Sequence, residues 1–122
     1  QRRFKILEWL NFTTSELHKT YSVFFSAPRD FADEGVRNLV VEKAKTNLFK
    51  KLDHVEKSLA ANGPYLTGDQ FSPADAYLFT VLSWSKLVGI ELSAYPKLMG
   101  FLENVSLRPA VQATRAKEKG KQ

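Results

Sequence analysis

A chain of 122 residues, 43% of them hydrophobic and only 6 glycines, fits one domain with one core and leaves little room for a disordered or low-complexity architecture. The absence of cysteine excludes disulfides, thiolate metal ligands and a cysteine nucleophile, and it suits a cytoplasmic setting. The net charge of +5 sits in the ends, with +3 in residues 1–5, +3 in residues 115–122 and −1 in the body; no aromatics interleave with the basic tail, so solvated termini are the reading and a nucleic-acid partner is not expected.

The first element predicted is a helix over residues 3–25, where Leu10, Leu17, Tyr21 and Phe24 fall on one face and Pro28 marks the end. Glu8, Asn11, Ser15, His18 and Ser22 recur on the same helix at intervals of three and four, aligning an amide, hydroxyls and an imidazole along a ridge. A fully exposed ridge normally carries Lys, Glu and Arg. This one suits an interface stripe or the wall of a polar cleft, and the bare pattern leaves both open. Asp30, with Asp33 behind it, is a plausible cap for a second helix striped by Val40, Ala44, Leu48, Leu52, Val55 and Leu59 and stopped by Asn62-Gly63-Pro64. Lys43, Lys45, Lys50, Lys51, Glu56 and Lys57 read as its water-facing side.

A loop over residues 63–71 then offers Tyr65 and Leu66 to the core. Ser72 fits the N-cap of a third helix, its hydroxyl accepting from the Asp75 N–H while the Asp75 carboxylate reaches back to the Ser72 N–H, with Pro73 at the first helical position. This box accounts for Ser72 and Asp75 as a structural cap without a ligand. Apolar residues surround the helix from Ala76 to Val88, which places it inside a bundle, and Thr80, Ser83, Ser85 and Lys86 make it too polar to span a bilayer. Gly89 ends it. Pro96 starts a fourth helix with Leu98, Phe101, Leu102 and Val105 inward, and Arg108-Pro109 breaks it before a short fifth. The whole is an all-α helical bundle of about five helices in a single domain over residues 1–122. His18 and His54 stand in no metal-ligand spacing, so no metal is assigned.

The run Gly68-Asp69-Gln70-Phe71-Ser72-Pro73-Ala74-Asp75-Ala76-Tyr77-Leu78-Phe79 resembles the motif that opens the core helix in the C-terminal helical domain of glutathione S-transferases. Glu8-Trp9-Leu10-Asn11-Phe12 with Ser15-Glu16-Leu17-His18-Lys19 is similar to the first helix of that domain in the bacterial, beta-class enzymes, and Leu107-Arg108-Pro109-Ala110-Val111-Gln112 resembles the family's closing helix-turn-helix. The likeness runs over residues 4–113, with 29–57 matched mainly by pattern.

The resemblance implies a parent enzyme that transfers glutathione, as substrate and not as cofactor, to small electrophiles. It implies that the residue matched by His18 lies near the glutathione sulfur in a catalytic role, that Asn11, Ser15, Glu16 and His18 face the tripeptide, some across a homodimer, and that Trp84 lines the electrophile pocket. Amide, hydroxyl and imidazole groups bind such a ligand without a desolvated charge. Ser83 departs from the pattern, because related bacterial enzymes commonly carry arginine there. Tyr21 and Phe25 read as ordinary bundle aromatics. Family members also place a thioredoxin-like domain, with the group that activates the thiol, ahead of this one; the chain begins where the second domain begins, and a piece of such an enzyme, inactive alone, is the expectation. The alternative is a non-catalytic interaction module, as the same fold serves in translation factors and synthetase complexes.

Overall fold

A computed structural model of the chain describes residues 2–108, and these form helices connected by turns and loops, with one isolated bridge between Tyr65 and Gly68. The first long helix is a single unbroken run of three parts: α1 (Arg2–Phe12), a π-helical segment (Thr13–His18) and α2 (Lys19–Asp30). It is followed by α3 (Glu34–Asn62), α4 (Pro73–Ser83) with a 3-10 turn (Trp84–Lys86), and α5 (Pro96–Ser106). The short fifth helix expected from Pro109 lies outside the described residues.

Pro28 does not end the first helix. It sits in its last turn, where the missing N–H deprives only the Phe24 carbonyl of a partner, and the chain leaves the helix at extended Phe31. The cap of α3 is Asp33 and not Asp30: Asp33 has extended backbone and its Oδ2 accepts from the Val36 N–H at 2.9 Å. At the far end Gly63 admits no side chain, since a Cβ there would collide with the Leu59 carbonyl oxygen.

α4 is the central helix, packed on α1, the π segment and α5, while α2 lies along α3 and α3 along α5. The core joins Leu17, Tyr21 and Phe24 to Leu48, Leu52 and Val55 of α3, Leu78, Val81 and Leu82 of α4, and Leu98, Phe101 and Val105 of α5. Core burial on this scale is the main stabilising term of such a bundle. Among the described residues no helix is long and apolar enough to cross a membrane.

The capping box at Ser72 and Asp75 is present, and it does more than the local pattern required. The fully buried Asp75 carboxylate accepts from the Ser72 N–H (2.8 Å), the Ser72 hydroxyl (2.9 Å) and the Leu66 N–H (2.9 Å). The last bond ties the 63–71 loop to the helix start and seats Leu66 in the core. The expectation of an α-helix buried through Val88 is corrected: the backbone tightens at Trp84, Thr80 and Ser83 face solvent, and Leu87 is 73% exposed. Two residues of the supposedly solvated side of α3 are also bonded to other elements. The Glu56 carboxylate accepts from the N–H groups of Lys97 (3.0 Å) and Leu98 (2.8 Å), so α3 caps the start of α5, where an N-terminal dipole favours negative charge. The other is Lys51, which reaches the π segment.

Candidate functional site

The π segment arises where hydroxyl residues crowd the helix. Thr14 Oγ1 donates to the Leu10 carbonyl at 2.9 Å and Ser15 Oγ to the Asn11 carbonyl at 2.7 Å, so side chains compete for acceptors that a regular helix gives to its own N–H groups. At its other end the Glu16 carbonyl accepts from the Lys19 N–H, from Thr20 Oγ1 (2.6 Å) and from Lys51 Nζ (3.3 Å). Lys51 also pairs with the Glu16 carboxylate at 3.0 Å and donates to Thr20 Oγ1 at 3.0 Å, clamping the widened turn from α3. Each π turn carries extra backbone, so the residues beyond it are rotated relative to a continuous α-helix, and π turns recur at functional sites. The ridge Glu8, Asn11, Ser15, His18 and Ser22 presupposed uniform α geometry, which the π segment interrupts between Asn11 and Ser22.

His18 closes the segment. Its Nδ1 lies 2.8 Å from the Tyr77 hydroxyl of α4, and its ring meets Trp84 edge to face at 5.2 Å between centroids. With the Tyr77 phenol as donor and Nδ1 as acceptor, the imidazole proton sits on Nε2. Trp84, half-buried on the 3-10 turn, also makes edge contacts with Tyr21 (6.4 Å) and Phe25 (6.1 Å). Tyr21 is fully buried beneath it and hydrogen-bonds Ser85; burial raises its phenol pKa, partly offset by that bond.

His18 and Trp84 open onto one cleft of about 520 Å³, lined also by Ser22, Phe25, Ser26, Arg29 and Leu87. The structure therefore brings together His18 and Trp84, the two cleft residues implied by the resemblance, with Ser22 of the polar ridge. Asn11, Ser15 and Glu16 are not among the lining residues: Asn11 and Ser15 are exposed, and the Glu16 carboxylate turns to Lys51. Phe25, expected as a bundle aromatic, is 48% exposed at the cleft mouth. Ser26 and Arg29 were missed as well; their spacings from Ser22 and Phe25 are helical, and continuing the polar ridge past Ser22 would have found them. Among the described residues no group of three His, Asp or Glu side chains is arranged to hold a metal ion.

The family model for the glutathione S-transferase C-terminal domain matches residues 7–109. Glutathione S-transferase GstA of Escherichia coli O157:H7 is 36% identical over 110 residues, covering 90% of this chain and 51% of that protein. A glutathione transferase of Methylococcus capsulatus superposes with a TM-score of 0.84 at 40% identity, covering 97% of this chain and 55% of the other. The beta-class glutathione S-transferase of Sphingomonas chungbukensis does so with a TM-score of 0.75 at 32% identity, covering 93% and 52%. The chain thus spans about half the length of the relatives it matches.

Proposed function

The chain belongs to the glutathione S-transferase C-terminal domain family, and on that premise we propose that it is the helical half of a bacterial-type glutathione transferase, supplying the electrophile cleft and secondary contacts to glutathione. The observation that carries the reading is the meeting of His18 and Trp84, from distant parts of the sequence, on one cleft with an aromatic wall. In the reaction a glutathione thiolate attacks an electrophilic carbon, a carbon–sulfur bond forms and the leaving group departs. The part of this chain is to hold the electrophile against Phe25, Trp84 and Leu87 and to present the His18 Nε2–H as a donor to the sulfur. A donor aimed at a thiolate stabilises the nucleophile without needing to abstract its proton.

Asn11, Ser15 and Glu16 lie on the π segment and the turn before it, and in this reading they face the tripeptide, with a second subunit completing the site. The Ser15 hydroxyl proton is engaged with the Asn11 carbonyl, so its free capacity is as an acceptor, suited to the ammonium of glutathione. In this reading activation of the thiol falls to a thioredoxin-like half, and the proposed role is the disposal of small electrophiles in the cytoplasm, a setting that the cysteine-free sequence suits.

The test is an assay of glutathione conjugation to 1-chloro-2,4-dinitrobenzene with two lengths of protein. The 122-residue chain is expected to show no turnover above background and to bind glutathione no tighter than about millimolar, because part of the ligand's polar surface finds no partner. Joined behind a glutathione-binding thioredoxin-like half, it is expected to turn over, with Trp84→Ala raising KM for the electrophile several-fold. Robust turnover by the chain alone, or a KM indifferent to Trp84, overturns the reading; no turnover in the joined protein favours the interaction module.

A further inference from the structure

The cleft is chemically one-sided. Arg29 brings the only formal charge among its lining residues, and no carboxylate lines it. Ser22 Oγ donates to the His18 carbonyl at 2.9 Å and Ser26 Oγ to the Val23 carbonyl at 3.5 Å, so toward the cleft both hydroxyls offer lone pairs. His18 Nδ1 is engaged by Tyr77. Arg29 shares its Nε with Asp30 at 3.3 Å, in a pair whose side chains are 78% and 52% exposed, while its two Nη groups hydrogen-bond no described residue. The N–H donors left for a bound molecule are therefore the Arg29 Nη groups, the second nitrogen of His18 and the Trp84 indole N–H, and of these the Arg29 guanidinium alone brings a fixed positive charge. The apolar surface comes from Phe25, Trp84 and Leu87.

Position along the helix adds a size. Arg29 is eleven residues beyond His18, about 16 Å at 1.5 Å per residue, and the arginine, longer than the imidazole, reaches farther back toward the N-terminus and so shortens the gap. A molecule reacting beside His18 meets the guanidinium only if its acceptor is set well away from the reacting carbon. Planar guanidinium pairs best with a planar, bidentate anion.

We infer that the electrophile this cleft prefers is an extended aromatic molecule carrying a carboxylate or sulfonate remote from the reacting carbon, with Arg29 as the residue that selects it. The inference rests on the reading of the cleft as the electrophile pocket. For an aryl halide of this class the sulfur–carbon bond forms as the carbon–halogen bond breaks, halide leaves with the bonding pair, and the thiol proton has gone to solvent. The distant anion takes no part in these steps and serves only recognition.

All the residues concerned belong to this chain, so binding can be measured on it without catalysis. Biphenyl-4-carboxylate and its neutral counterpart biphenyl-4-carboxamide are titrated against the 122-residue chain with tryptophan fluorescence as the signal, and Trp84→Phe identifies the fluorophore. The carboxylate is expected to bind three- to fivefold more tightly at low salt, about what an exposed ion pair yields, and the preference is expected to fade with added salt. Arg29→Gln is expected to equalise the two ligands, and Arg29→Lys to retain part of the difference. Equal affinities in the unaltered chain, or a preference that survives Arg29→Gln, overturn the inference while leaving the pocket in place. Failure of both ligands to perturb Trp84 removes the pocket and the inference together.

Discussion

Replacing Asp75 by alanine removes an acceptor that no other group can supply. The carboxylate is fully buried and takes three hydrogen bonds, from the N–H groups of Leu66 and Ser72 and the hydroxyl of Ser72. Two of these donors are backbone groups in the interior, and leaving a buried donor unpaired costs about 1–3 kcal/mol each, softened where water enters the space. A loss of about 3–4 kcal/mol is expected, a large share of the stability of a small domain. Asp75→Asn keeps one carbonyl acceptor and is expected to lose about 1–2 kcal/mol, while Ser72→Ala removes a cap hydroxyl and is expected to lose about 1 kcal/mol. Urea melts of the variants give the order, and hydrogen exchange at the Leu66 amide locates it, since that amide is expected to lose its protection in Asp75→Ala and retain it in Ser72→Ala. A change below about 1 kcal/mol in Asp75→Ala, or one no larger than that of Ser72→Ala, refutes the argument that this carboxylate joins the loop to the helix.

Glu56→Ala is expected to cost about 1–2 kcal/mol in the same melts, because the first N–H groups of α5 at Lys97 and Leu98 lose their acceptor and the helix start loses a favourable charge. Tyr95, buried at the start of α5, has its phenol pushed up to about 12, chiefly by burial and then by Asp53 and Glu56. In the unfolded chain a tyrosine ionises near pH 10, so the folded state holds the extra proton between pH 10 and 12; stability is complete below pH 10 and falls as pH rises through 12, and Tyr95→Phe is expected to flatten that fall in melts at pH 8, 10 and 11. Phe4 and Leu7 lie on α1 at 62% and 55% exposure, and exposed apolar surface favours association. Sedimentation of the chain is expected to show concentration-dependent dimers that Phe4→Glu with Leu7→Glu disperses.

Residues that act on near neighbours in the sequence were legible in it. Ser72-Pro73-Asp75, Gly63 and Pro96 set helix ends by local stereochemistry, and the stripe from Ala44 to Leu59 reports burial by its period alone. The Leu66–Asp75 bond was not legible, because nothing in a capping box calls for a third donor. Nor was the Glu56 cap of α5, since a carboxylate on a helix is ordinary until another helix start is placed against it. Pro28 and Asp30 misled for a related reason: the last turn of a helix tolerates a missing N–H, which moved the boundary to the next aspartate. The π segment has no composition signal beyond its cluster of hydroxyls, and the clamp that holds it, Lys51, comes from α3. At the site, His18 and Trp84 could be singled out by resemblance, but their union with Phe25 and Arg29 in one cleft, and the Tyr77 bond to His18, depend on how α4 packs against the first helix.

The central claim is that His18, held by Tyr77 and facing the Trp84 cleft, donates to the glutathione sulfur. Steady-state kinetics of the chain joined to a thioredoxin-like half test it most directly, comparing the unaltered protein with His18→Ala and Tyr77→Phe. The account predicts a drop in kcat of about tenfold for His18→Ala, with KM for glutathione changed little, and a smaller drop for Tyr77→Phe as the imidazole proton is no longer fixed on Nε2. An unchanged kcat in His18→Ala would contradict it.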